Sequence, residues 1–277
     1  MSRSMDPYAA AFLRFAIASF FLLILIKIQD GKFPRINLRQ FAFIFCLGMT
    51  GVFSYNVFFF SGLHTVEAGR ASIIIALNPI AISLLSSFFF KERLTILKLL
   101  GILTSVTGAL VVITYGDLSM IFSEPIGTGE LFIFGCVASW VTYSLIGKVV
   151  MADVSPLVAV GYSAVVGAIA LSIPAFSRGL AEQIINYSPA EWVSLFYLGF
   201  FGTVLGFFWY YQALNTVGPM KSSVFINFVP VSAIILAMIV LKEPVTLSLL
   251  IGALLVLTGV LTTNFSSILV KAIRKKI

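Results

Sequence analysis

The chain has 277 residues, of which 60% are hydrophobic and only 10% charged, with a net charge of +7 and a mean hydropathy of +1.07. A water-soluble domain carries about 25% charged residues, so a soluble fold is excluded and an all-α integral membrane protein is expected. The basic excess does not indicate nucleic-acid binding, because Lys and Arg collect on the cytoplasmic side of membrane proteins.

Apolar runs of about 20 residues, enough to cross a bilayer as helix, recur along the chain. The reading gives nine spans, near residues 8–27, 40–62, 69–90, 95–115, 130–150, 155–174, 190–213, 219–241 and 245–268. The linkers are too short for a soluble domain. The first apolar run lacks a basic lead and a small-residue cleavage site, so it reads as a span and not as a signal peptide. Cys46 and Cys136 fall inside spans and are expected to be buried apolar fillers. Basic residues alternate along the loops. Lys27, Lys32, Arg35 and Arg39 lie in the first, Lys91, Arg93 and Lys98 two crossings later, then Lys148, Lys221 and a basic tail. Asp117, Glu124, Glu130, Glu182 and Glu191 occupy the intervening loops. The basic loops and the C-terminus are therefore expected to be cytoplasmic.

Residues 51–113 are written a second time, 151 positions later, at 202–264. Leu63-x-Thr65-Val66 falls on Leu214-x-Thr216-Val217, Pro79 on Pro230, Lys91-Glu92 on Lys242-Glu243, and Gly101 and Gly108 on Gly252 and Gly259. A repeat of this length implies two similar halves. An odd number of crossings separates the copies, so the halves are expected to have inverted topology, an arrangement of many secondary transporters. The domain reading is a first repeat at 1–115, an exoplasmic linker at 116–129, a second repeat at 130–268 and a cytoplasmic tail at 269–277. The second half has a span, 130–150, that the first lacks. Pro7 aligns with Pro156, so the first half is expected to be short of its first helix.

With these features the chain resembles the EamA-type branch of the drug/metabolite transporter superfamily. The resemblance is carried by Asp6-Pro7 with Phe12-Leu13-Arg14-Phe15, Leu63-x-Thr65, Asn78-Pro79, Lys91-Glu92-Arg93-Leu94-Thr95 and the Gly101–Gly108 pair, with their second-half counterparts. It implies ten helices in two inverted five-helix halves, a central cavity and alternating access. Members of the family export aromatic and other amino acids, so amino-acid export is the leading expectation. The alternatives are another metabolite or drug class, or a scaffold that transports nothing. The missing first helix keeps the last of these open. A bacterial inner membrane is the expected location.

Polar and aromatic groups within spans need partners or a watery cavity. Those expected to line a substrate site are Tyr55, Phe59, Asn78, Trp140, Tyr143, Tyr210 and Asn227, and family position adds weight at Tyr55 and Trp140. The alternative for each is a hydrogen bond to a neighbouring helix. Tyr211 and Gln212 are expected to approach a membrane interface. Arg14 lies about 10 Å inside the first span at 1.5 Å per residue. It either holds a substrate carboxylate or snorkels to the interface. Its repeat counterpart is Ser163. Pro79 and Pro230 crowd the carbonyls of Ile75 and Ile226 and should kink their helices, as hinges or as fixed bends. Gly101, Gly108, Gly252 and Gly259, and the pair Gly202 and Gly206, should permit close helix packing.

No Walker loop, Ser-His-Asp set, zinc-ligand cluster or intramembrane carboxylate pair occurs, so no enzyme activity, catalytic residue, metal or cofactor is expected. The one histidine, His64, lies in a turn. The partners expected are a small-molecule substrate and the lipid bilayer, with no nucleic acid, and a homodimer is allowed.

Overall fold

The computed structural model describes residues 5–119, 126–232, 235 and 246–274, with side chains as far as 266. Among the described residues the chain is helical, without strands. Eight helices are long and apolar enough to cross a membrane. They are α1 (Pro7–Asp30), α2 (Leu38–Leu63), α3 (Ala68–Phe90), α4 (Ile96–Ile113), α5 (Thr128–Val150), α6 (Pro156–Ser177), α7 (Pro189–Val217) and the last, Leu247–Ser266. Between α7 and that last helix lie a short helix, α8 (Pro219–Ser223), and a 3₁₀ segment (Val224–Asn227). The final helix, α9, continues to Arg274. Residues 233–234 and 236–241 of the expected span 219–241, with Lys242-Glu243, fall outside the described residues.

The helix starts are written locally. Asp6 caps α1, accepting from the N–H groups of Tyr8 and Ala9 at 2.9 and 3.2 Å ahead of Pro7 in the first turn. Asn37 with Gln40 and Ser188 with Glu191 form reciprocal capping boxes at α2 and α7. These satisfy N–H groups that a helix start otherwise leaves unbonded. Large apolar side chains such as Phe20, Ile28, Phe88, Ile173 and Leu254 lie exposed on the helices. Water does not favour such a surface, whereas lipid does.

The chain divides into two compact units, Met1–Ser61 with Ala138–Thr216, and Gly62–Val137 with Val217–Ile277. Each draws on both sequence repeats. The first unit packs α1 against α6. Phe12 meets Phe176 at 5.7 Å between ring centroids, and Ile26 fills the space beside Gly161, so these two helices run antiparallel. The second unit packs α4 against α9 through glycine. A Cβ on Gly101 would come within 2.8 Å of the Gly259 carbonyl, and one on Gly108 within 2.7 Å of the Gly252 carbonyl. The backbones thus touch where the sequence has no side chain, in an antiparallel crossing that joins repeat-equivalent helices.

Two departures from regular α-helix also fall at repeat-equivalent places. Gly48–Ser54 in α2 and Leu198–Leu205 in α7 are π-helical, and the shift of 151 carries one nearly onto the other. Gly48 abuts the Ser163 carbonyl on α6, and Gly199 abuts the Arg14 carbonyl on α1. Ser163 and Arg14 are themselves counterparts in the repeat.

In the second unit, α3 breaks at Ala76–Leu77, and Pro79 sits in the first turn of its second segment. The 3₁₀ segment Val224–Asn227 occupies the corresponding place ahead of Pro230. Regular α-helix is therefore interrupted just before each proline, where the missing N–H would break the helical ladder.

Candidate functional site

The first unit gathers aromatic side chains from three helices around Trp140. Tyr55 and Phe59 are one turn apart on α2, stacked at 6.1 Å with planes 12° apart. Trp140 on α5 meets Tyr55 at 5.8 Å and Tyr143 at 5.5 Å. From α7 it meets Phe207 edge-on at 5.5 Å and Tyr210 at 5.4 Å. Tyr143 and Tyr211 lie 4.8 Å apart. Each such pair contributes about 0.5–1.5 kcal/mol beyond the area it buries, so the cluster is a stiff wall. Gly51 makes room for the Tyr143 ring, and Gly147 for the Tyr211 hydroxyl.

The polar atoms of the cluster have a direction. Ser144 Oγ–H donates to the Trp140 carbonyl at 2.8 Å. Its proton is thereby used, so the Tyr210 hydroxyl, 2.8 Å from the same oxygen, is the donor of that pair. Tyr211 donates to the Tyr143 carbonyl at 3.1 Å. Two buried groups remain unsatisfied. The Trp140 Nε1–H faces the Tyr210 hydroxyl without closing a hydrogen bond to it, and the Tyr143 hydroxyl lies near Tyr211 and Ser163 in the same way. A buried donor left unmade costs about 1–3 kcal/mol, so such groups in an aromatic wall suit a site that takes polar ligand atoms.

Arg14 stands at the flank of this cluster. Its guanidinium lies 5.3 Å from the centroid of the Phe15 ring. Phe15 in turn meets Phe207 edge-on at 5.9 Å. Arg14 Nε donates to Thr203 Oγ1 at 2.7 Å. Thr203 is fully buried and belongs to the π-helical segment of α7. The side chain is thus tied across to another helix by hydrogen bonding.

The other expected site residues lie in the second unit. Asn78 Nδ2 donates to the Ile75 carbonyl at 2.9 Å, and Asn227 Nδ2 to Ser105 Oγ at 3.0 Å. Both side chains are buried, and the amide oxygen Oδ1 of each is without a partner. The structure therefore brings Arg14, Tyr55, Phe59, Trp140, Tyr143 and Tyr210 together in one unit, and places Asn78 and Asn227 in the other. The second unit also holds an ion pair that the sequence did not suggest. Arg70 Nε lies 2.6 Å from Glu130 Oε1, and Glu130 Oε2 accepts from the Gly127 N–H at 2.8 Å.

Three expectations are corrected. Tyr211 is fully buried in the cluster and does not approach an interface. Cys46 is exposed, while Cys136 is buried as expected. Among the described residues, Gly202 has open space above it and Gly206 meets nothing closer than 3.7 Å, so this pair mediates no close packing with them. Phe207 and Thr203 were missed. An all-apolar Phe carries no sign of its role in sequence, and Thr203 becomes conspicuous only once Arg14 is seen against it.

Fold and site together define a multi-spanning helical membrane protein with an aromatic, cation-flanked wall built inside one unit. The chain belongs to the EamA-like transporter family, whose model matches residues 1–114 and again 127–265. It is 32% identical over 260 residues to the Uncharacterized transporter YyaM of Bacillus subtilis (strain 168), covering 94% of this chain and 85% of that one. It is 27% identical over 265 residues to the Probable terminal-alkyne amino-acid exporter of Streptantibioticus cattleyicolor, covering 94% and 86%. One solved crystal structure shares the fold at 20% identity, with a TM-score of 0.74 over 95% of this chain and 89% of that one. The protein is thus a membrane transporter of the EamA type, and not an enzyme.

Proposed function

We propose that the chain is a secondary transporter that exports a small organic metabolite, an amino acid, by alternating access. The observation that carries this reading is the aromatic wall centred on Trp140 with Arg14 at its flank. Aromatic faces accept an apolar side chain, and a guanidinium complements a carboxylate. Trp140 and Thr203 lie near the middles of α5 and α7, which accords with binding near the bilayer midplane. In this reading Asn78 and Asn227, within the second unit, also bind substrate, and Pro79 and Pro230 act as hinges. The name of the Streptantibioticus relative points to the same substrate class.

The two repeats are inverted in this reading. The reciprocal glycine contacts of α4 with α9, and of Gly48 and Gly199 with counterpart carbonyls, support it: each pair exchanges equivalent residues, as a two-fold relation requires. The protein sits in a bacterial inner membrane with its basic loops and C-terminus in the cytoplasm. The test is counterflow of labelled amino acids into proteoliposomes carrying the full chain. Saturable exchange with at least one amino acid is expected, and the absence of exchange across a complete amino-acid panel would remove the reading.

A further inference from the structure

The geometry points to Arg14 as the receptor for a carboxylate on the transported solute, and to Thr203 as the residue that positions it. This rests on the reading of the chain as a solute transporter and names the ligand chemistry of its site.

The first ground is how Arg14 is held. The Thr203 hydroxyl donates to the Leu198 carbonyl at 3.0 Å, five residues back in the π-helical stretch. With its proton directed there, the hydroxyl oxygen is left as an acceptor, and Arg14 Nε donates to it at 2.7 Å. That bond uses the Nε position and fixes the guanidinium plane. It leaves the paired Nη groups, the end of the fork that matches a carboxylate.

The second ground is the missing counter-charge. Among the described residues, Arg70 is paired with Glu130 and Arg178 with Asp6, while no carboxylate pairs with Arg14. A cation within a membrane span is costly without an anion or water to meet it.

The third ground is the broken symmetry. At the repeat-equivalent place Ser163 replaces Arg14, and Val52 replaces Thr203. The backbone packing is nevertheless the same, Gly48 against the Ser163 carbonyl and Gly199 against the Arg14 carbonyl. Packing is therefore met without the cation or the hydroxyl, and both are additions to one copy. They were added on the side where Phe15 and Phe207 lead to Trp140, so charge and aromatic surface occur together.

The test uses the purified full chain in detergent, for ligand-induced thermal shift, and in proteoliposomes, for counterflow. The probes are L-phenylalanine, L-leucine and 3-phenylpropionate, each against its neutral amide. At least one acid should stabilise the wild type at concentrations about tenfold below its amide, the scale of one charge-assisted hydrogen-bond pair. Arg14→Gln should abolish that preference. Thr203→Val should raise the KM for the acid about tenfold while the maximal rate stays within about twofold, because it loosens one hydrogen bond to a charged group. Thr203→Ser, which keeps the hydroxyl, should restore the KM. Equal response to acids and amides would overturn the proposal. So would a Thr203→Val variant that lowers the unliganded Tm and the maximal rate but leaves the acid preference intact. Acid-selective thermal shifts without any counterflow would sustain the Arg14 site and refute the transport reading, so the two failures are separable.

Discussion

Asn78 Nδ2 lies 2.9 Å from the carbonyl oxygen of Ile75, the acceptor that Pro79, four residues on, cannot serve. The side chain thus closes the gap that the proline opens in the backbone ladder. Asn78→Ala should cost about 1–2 kcal/mol by leaving that buried carbonyl unbonded. Pro79→Ala restores an N–H at the right place, so the double variant should recover most of the loss. Thermal unfolding in detergent of the two single variants and the double variant checks this. Strictly additive losses would show that Asn78 does not stand in for the missing donor. The same Pro79→Ala variant tests the hinge, since unchanged counterflow would leave a fixed bend.

The α4–α9 crossing makes a second prediction. At Gly101, Gly108, Gly252 and Gly259 a Cβ would come within 3.0 Å of backbone atoms on the partner helix, which cannot rotate away. Gly108→Val should therefore cost about 1–3 kcal/mol or more as overpacking. Gly69 and Gly202 have open space above them, so alanine there should change the Tm by no more than a degree or two. Fluorescence-detected size exclusion after heating would rank the set, and an unaffected Gly108→Val would refute the close approach.

Trp140 should separate aromatic surface from simple bulk. Trp140→Phe retains a ring against Tyr55, Tyr143, Phe207 and Tyr210, whereas Trp140→Leu removes the pairs that organise the wall. At about 0.5–1.5 kcal/mol per aromatic pair, the Leu variant should raise the KM in counterflow by tenfold or more. The Phe variant should stay within about fivefold. Equal KM values for the two would argue that the ring faces contribute no binding.

The Arg70–Glu130 pair predicts a coupling. Removing either partner takes the ion pair away from a largely buried charge near the end of a span, so Arg70→Ala and Glu130→Ala should each lower the Tm more than the double variant does per residue removed. Independent, additive shifts would mean that the contact contributes nothing of its own.

Much of the architecture was legible because it is encoded in composition and periodicity. Runs of apolar residues gave the spans, the Pro79 and Pro230 matches marked where regular α-helix is interrupted, and the spacing of Gly101 and Gly108 gave the packing surface. Tyr55, Trp140, Tyr143 and Tyr210 were picked out because polarity at mid-span is costly. What could not be read depends on distant residues or on helix geometry. Arg70 and Glu130 are 60 positions apart, and Arg14 and Thr203 are separated by 189. Tyr211 was misplaced because a regular α-helical wheel does not hold through α7.

That last point reaches further. A turn of π-helix holds more residues than the 3.6 of a regular turn, so everything beyond it is swung round the helix axis by a large fraction of a circle. Tyr55 and Phe59 follow immediately after one such stretch, and Phe207, Tyr210 and Tyr211 after the other. The aim of Tyr55, Phe207 and Tyr210 at Trp140, and of Tyr211 at Tyr143, is therefore a matter of angular phase, set upstream by Gly48–Ser54 and Leu198–Leu205. Unwinding either widened coil to ordinary pitch would turn the rings away while leaving the sequence of the wall untouched.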